Sequence, residues 1–97
     1  MNFLTAVYKF PILHQVETLP NHITIKKFLA IQLQHGVPVV WAIVDPNTPD
    51  STTWTITEIG TGWNFQRDLS ETGEYIGTIQ DGDYVWHYFA DNIALIQ

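Results

Sequence analysis

The sequence predicts an all-β domain, a small antiparallel β-sandwich or partly closed barrel of about six to seven strands built on two hairpins. Three observations carry this. From Ile23 to Leu33 the odd positions Ile23, Ile25, Leu29, Ile31 and Leu33 are large aliphatics, interrupted only by Lys27, the period-2 signature of a strand with one buried face. Two pairs, His35-Gly36 and Asp81-Gly82, sit between strand-like runs and suit two-residue hairpin turns, because Gly takes the positive φ such turns require. No stretch shows the spacing of a long amphipathic helix; Asn64 to Glu71 has room for one helical turn.

Taken in order, Leu4, Ala6, Tyr8 and Phe10 alternate with Thr5, Val7 and Lys9, a first strand that Pro11 ends or bends. His14 to Thr18 is a weaker second strand, closed by a turn at Leu19-Pro20-Asn21-His22. The central hairpin, Ile23 to Asp45, follows. A His35-Gly36 turn sets Leu33 opposite Pro38, Ile31 opposite Val40 and Leu29 opposite Ala42 on the core face. Phe28, Trp41 and Ile43 then share the other face, where a sheet open to water should be polar, so something is expected to cover them. Lys26-Lys27 marks a bend or a bulge, and Pro38 belongs on an edge or at a non-bonded position. Asp45 to Ser51 is a loop with two prolines. Thr52 to Ile59 is a strand whose alternation slips, which predicts a bulge near Thr57-Glu58. Gly60-Thr61-Gly62 opens a loop to about Gly73. Glu74 to Gln80 and Asp83 to Phe89 form the second hairpin; an Asp81-Gly82 turn sets Gly77 opposite Trp86 and Tyr75 opposite Tyr88. The apolar tail, residues 92–97, is a last strand or a docking arm. The whole chain, 1–97, reads as a single domain.

At 97 residues the chain can bury a real core, roughly 60–68% of its unfolded surface. It has no Cys, which excludes disulfides and thiolate metal sites and fits a reducing, cytoplasmic setting. Its start lacks the basic and apolar regions of a signal peptide, and no apolar run approaches a membrane span, so no membrane partner is expected. The formal net charge is −6. Every acid except Glu17 lies in residues 45–97, which hold one base, Arg67, whereas Lys9, Lys26 and Lys27 lie in the first half. Without a basic stripe no nucleic-acid partner is expected. The acidic half is either a surface for a basic partner or ordinary solubility charge on loops, and the second is the simpler reading.

Chemistry-bearing constellations are thin. Gly60-Thr61-Gly62 lacks the third glycine, the Lys and the helix of a phosphate loop. No two of His14, His22, His35 and His87 have metal-ligand spacing, so neither metal nor cofactor is expected. His87, between Val85 and Phe89, reads as a satisfied core histidine. Ser51 and Ser70 lie in loops outside any elbow motif, so the chain reads as non-enzymatic, with no catalytic residues. The aromatic set Tyr75, Tyr84, Trp86 and Tyr88 is either core or a face that stacks a nucleotide base or a sugar.

The run Val40 to Pro46, preceded by Gln32 to Pro38, with Lys9-Phe10-Pro11, Gly60-Thr61-Gly62 and Tyr75 to Thr78 in the same order, resembles a family of short uncharacterised bacterial and phage or prophage proteins of unknown function. The resemblance covers most of the chain and implies no activity. The chain departs from that pattern in a longer 60–74 loop and an extra tail past Asp91. Small size, spare apolar faces and an acidic half point to a protein-binding module, a phage-type protein that binds and modulates or inhibits a host or defence protein. Its partner-binding candidates are Phe28, Trp41 and Ile43, then Trp63, Phe65, Arg67 and Asp68 in the loop, and Ile93 and Leu95 in the tail. A symmetric homodimer is another way to bury such a patch. The competing readings are a small-ligand binder using Tyr75, Tyr84, Trp86 and Tyr88, and a structural accessory protein of a larger assembly.

Overall fold

His35 and Gly36 both have positive φ, 53° and 80°, the pattern of a type I′ turn, whose twist matches that of the strands it joins. They join β3 (Thr24–Gln34) to β4 (Val37–Asp45). The computed structural model describes residues 4–64 and 73–94, and side chains as far as Asn92. It is all-β, seven strands in two antiparallel sheets. β1 (Ala6–Pro11), β4 and β3 form one sheet in that order; β2 (Val16–Thr18), β5 (Thr52–Gly60), β7 (Tyr84–Ala94) and β6 (Glu74–Asp81) form the other. The two pack face to face as a small β-sandwich, not a closed barrel.

The register next to the central turn is as expected, with Leu33 opposite Pro38 and Ile31 opposite Val40. Leu33 and Pro38 follow the closing pair Gln34–Val37, so they face each other without ladder bonds. The missing Pro38 N–H costs the hairpin nothing, and the Pro38 carbonyl turns the other way to accept the Ile12 N–H at 2.8 Å. Further along, the expected pairing fails. Phe28, not Leu29, lies opposite Ala42, because register shifts fall between Phe28 and Ala30 as well as between Ile25 and Lys27. The bulge at Lys26 is the expected one; the bulge at Leu29 is not. It turns Phe28 inward, onto the core and edge-on to Trp54 at 5.0 Å between ring centroids. Phe28 therefore does not share a face with Trp41 and Ile43.

The second hairpin also shifts. Its turn is Gly82-Asp83, flanked by Asp81 and Tyr84, rather than Asp81-Gly82. Only Gly82 has positive φ, 61°, the type II′ arrangement with Gly first. Gly77 consequently lies opposite Tyr88, and Ile79 opposite Trp86. A shift between Tyr75 and Gly77 then places Tyr75 opposite Phe89. Tyr75 ends on the outward face, away from Tyr84, Trp86 and Tyr88. β5 pairs with β7 from Thr52 to Gly60 without a break, so the expected bulge near Thr57-Glu58 is absent. The slipped alternation reflects a strand flanked on both sides, with Trp54 and Ile56 inward and Ile59 half-buried on the outward face.

Phe10, Ile25, Ile31, Val40, Ala42 and Val44 from the first sheet meet Ile56, Ile79, Tyr88 and Ala90 from the second. Leu19 and Ile23 close one end where the chain crosses between sheets, and Ile12 does so beyond β1. Phe65, Arg67, Asp68, Leu95 and most of the helical turn expected between Asn64 and Glu71 lie outside the described residues.

Candidate functional site

Two surfaces bring together side chains singled out by sequence. The first is the outward face of the β1-β4-β3 sheet. Pairing sets Val7 beside Ile43, Lys9 beside Trp41 and Pro11 beside Val39, with Lys27, Ala30 and Gln32 across β4 on the same face. The Lys9 ammonium stands 5.8 Å from the centre of the Trp41 ring and donates to Gln34 Oε1 at 2.7 Å. It thus shields one side of the indole by a cation–π contact. Val7 is 57% exposed, and Trp41 and Ile43 are half-buried. Among the described residues no strand packs over this face.

The second surface is an open pocket of about 280 Å³ lined by Gly60, Thr61, Trp63, Asp83, Tyr84, Val85 and Trp86. It forms where β5 runs out. Gly62, at φ 85°, allows a four-residue turn in which the Trp63 N–H donates to the Gly60 carbonyl at 3.1 Å, the geometry that demands Gly at the third position. Thr61 fastens this turn to β7, its N–H donating to the Val85 carbonyl at 3.0 Å. The turn folds Trp63 back over Gly60, where any Cβ would come within 2.7 Å of the indole. Trp63 meets Trp86 edge-on at 5.4 Å, and Tyr84 lies 6.0 Å from Trp86 with ring planes only 18° apart. Trp63, from the loop, and Tyr84 and Trp86, from the strand face, are thus one cluster. Tyr88 is fully buried and Tyr75 faces outward, so neither belongs to it. Asp83, Thr61 and Gly60 join the site; in the sequence they stood out as turn and loop residues, with Gly60-Thr61-Gly62 set aside as an incomplete phosphate loop.

On the inner face of the four-stranded sheet the Tyr88 hydroxyl donates to Glu58 Oε2, on the neighbouring strand β5, at 2.6 Å, a short charge-assisted bond within the sheet. Burial above all, then the bond to Glu58 and the charges of Glu58 and Asp81, push the Tyr88 phenol well above its ordinary 10.0. On the outward face of the same sheet His87 is bonded at both ring nitrogens, to Thr61 Oγ1 at 2.7 Å and Thr78 Oγ1 at 3.0 Å. Thr78 Oγ1 in turn meets the Tyr75 hydroxyl at 2.5 Å. A half-buried histidine so enclosed is satisfied structurally. Among the described residues no group of three or more His, Cys, Asp or Glu is placed to hold a metal. No helix among them is long and apolar enough to cross a membrane, which says nothing of strands.

The architecture defines the chain as a small two-layer antiparallel β-sandwich domain whose sheets leave one apolar face and one aromatic pocket at the surface. Within that class it belongs to a family described as a domain of unknown function, DUF7352, whose model matches residues 4–94. No curated protein and no solved structure shows significant similarity to it.

Proposed function

We propose that this chain is a non-enzymatic protein-binding module that docks through the outward face of its three-stranded sheet. One observation carries the reading: Val7, well exposed, and the half-buried Trp41 and Ile43 form an apolar patch beside the buried Val39, on a sheet face turned away from the second sheet. Lys9 and Lys27 flank that patch as direct cross-strand neighbours of Trp41 and Ile43. A matching partner surface is apolar in the middle and acidic at its rim, since complementary rim charges steer association and fix register. The setting that suits so small a chain is a phage or prophage protein in the host cytoplasm, holding or inhibiting a host or defence protein.

The test is capture from bacterial lysate with the wild type, Trp41→Glu, and Leu13→Glu as a control at a site 66% exposed elsewhere. The reading expects one protein held by the wild type and Leu13→Glu and lost by Trp41→Glu, with all three melting alike. A partner still held by Trp41→Glu moves the docking surface elsewhere. The competing small-ligand reading draws its support from the pocket, and nucleotides or sugars that raise the melting temperature would favour it.

A further inference from the structure

We infer that the pocket between Trp63, Tyr84 and Trp86 receives an arginine side chain presented by a partner protein. Size is the first ground. About 280 Å³ falls just below the usual range of small-molecule sites and suits one long side chain better than a nucleotide. The walls are the second. Tyr84 and Trp86 present nearly parallel rings, Trp63 stands edge-on to them, and Tyr84 and Trp63 remain 67% and 46% exposed. A planar, weakly hydrated guanidinium stacks on such faces.

Charge is the third ground, and it selects among ligands that aromatic walls alone would accept. Among the described residues Asp83 is the one ionisable lining residue apart from Tyr84, and no basic side chain among them lines the pocket. Asp81 is the cross-strand partner of Tyr84, and Glu58 is bonded to Tyr88 on the same sheet face. A phosphate would be repelled by these carboxylates. A neutral sugar would gain stacking but leave the negative potential unused. A guanidinium gains both, with Asp83 available for its paired donors.

This site lies on the other sheet from the proposed docking face and stands or falls separately from it. The probe is the peptide acetyl-Gly-Arg-Gly-amide, titrated into the full chain while the four tryptophan indole N–H resonances are followed by NMR. The expected result is saturable movement of the Trp63 and Trp86 signals, with Trp41 and Trp54 still. The citrulline peptide, neutral but of the same shape, should bind about tenfold more weakly, the factor one partly desolvated cation–π contact carries. Asp83→Asn should weaken the arginine peptide several-fold at unchanged melting temperature, and Trp41→Glu should leave binding intact. Equal affinity for the citrulline peptide, stronger binding of glucose or adenosine monophosphate, or uniform movement of all four indoles overturns the inference.

Discussion

Ile31 on β3 and Gly77 on β6 touch across the sandwich so closely that a Cβ on residue 77 would lie 2.8 Å from Ile31 Cγ2. These two strands are the edges of their sheets, so the contact sets how near the layers approach on that side. Gly77 faces Tyr88 within its own sheet, and the missing side chain makes room for the isoleucine, not for an indole. The glycine is there for an inter-sheet contact, which cross-strand reasoning within one hairpin could not show.

Gly77→Ala should destabilise the fold by about 1–3 kcal/mol, the usual cost of forcing a methyl into a packed core. The Ile31 methyl belongs to a β-branched side chain with little rotamer freedom, so it cannot step aside cheaply. Ile31→Val keeps that methyl group on Cβ, whereas Ile31→Ala removes it. Urea denaturation should therefore show Gly77→Ala costing less in an Ile31→Ala background than in the wild type. Equal costs in the two backgrounds would separate the residues.

Stability should fall above about pH 10 more steeply than the exposed tyrosines explain. Tyr88 has a folded-state pKa raised above the ordinary 10.0 by burial, then by Glu58. Its contribution is therefore whole below pH 10 and is lost as pH rises from there towards the folded value, because the unfolded chain ionises first. Tyr88→Phe removes that dependence and leaves the Glu58 carboxylate without its donor. Melting curves at pH 8 and pH 10.5 should show the wild type losing more than Tyr88→Phe between the two, although the variant is the less stable at pH 8. Parallel losses would contradict the linkage.

How much was legible follows from where the signals are local. The type I′ turn at His35-Gly36 and the pairs beside it depend on adjacent residues and the hydrophobic period, and they were readable. The bulge at Leu29 leaves no mark in the alternation, since Leu29 fits the aliphatic series as well as a paired residue would; only Trp54, distant in sequence, shows why Phe28 must turn inward. Asp81-Gly82 and Gly82-Asp83 are both valid two-residue turns, one needing Gly second and the other Gly first. Both choices put Ile79, Tyr84, Trp86 and Tyr88 on one face, so the aromatic cluster was partly visible despite the wrong pairs. Tyr75 was misplaced by the bulge at Ile76. The recruitment of Trp63 depends on the Gly60–Trp63 turn folding back, a tertiary event with no period of its own.

Thr57→Val should raise stability by about 1 kcal/mol. Thr57 is buried, 8% exposed, and its hydroxyl finds no hydrogen-bond partner. Replacing an unpaired buried hydroxyl by a methyl of the same shape removes a desolvation penalty, and Val is as well suited to a strand as Thr. A urea midpoint at or below that of the wild type would mean that the hydroxyl is satisfied.

His35→Asn should stabilise the central hairpin by about 1 kcal/mol. His35 sits at φ 53°, a left-handed conformation that costs an ordinary side chain about 1–2 kcal/mol and that Asn tolerates better. His35 is exposed, so the exchange removes little packing. A higher melting temperature with the same β circular dichroism is the expected outcome.

Gly60→Ala should empty the seat of Trp63 while sparing the sandwich. The added Cβ would sit 2.7 Å from the Trp63 ring, and Trp63, half in solvent at the end of a turn, gives way more cheaply than β5 or β7. The edge-on pair of Trp63 and Trp86 is then lost, worth about 0.5–1.5 kcal/mol in addition to its buried area. Near-ultraviolet circular dichroism should lose the signal of two coupled indoles, and the change should match that of Trp63→Phe. In a Trp63→Ala background the same Gly60→Ala exchange has nothing to collide with and should cost a few tenths of a kcal/mol or less. A coupled-indole signal that survives Gly60→Ala would show that the turn, rather than the glycine, holds Trp63 against Trp86.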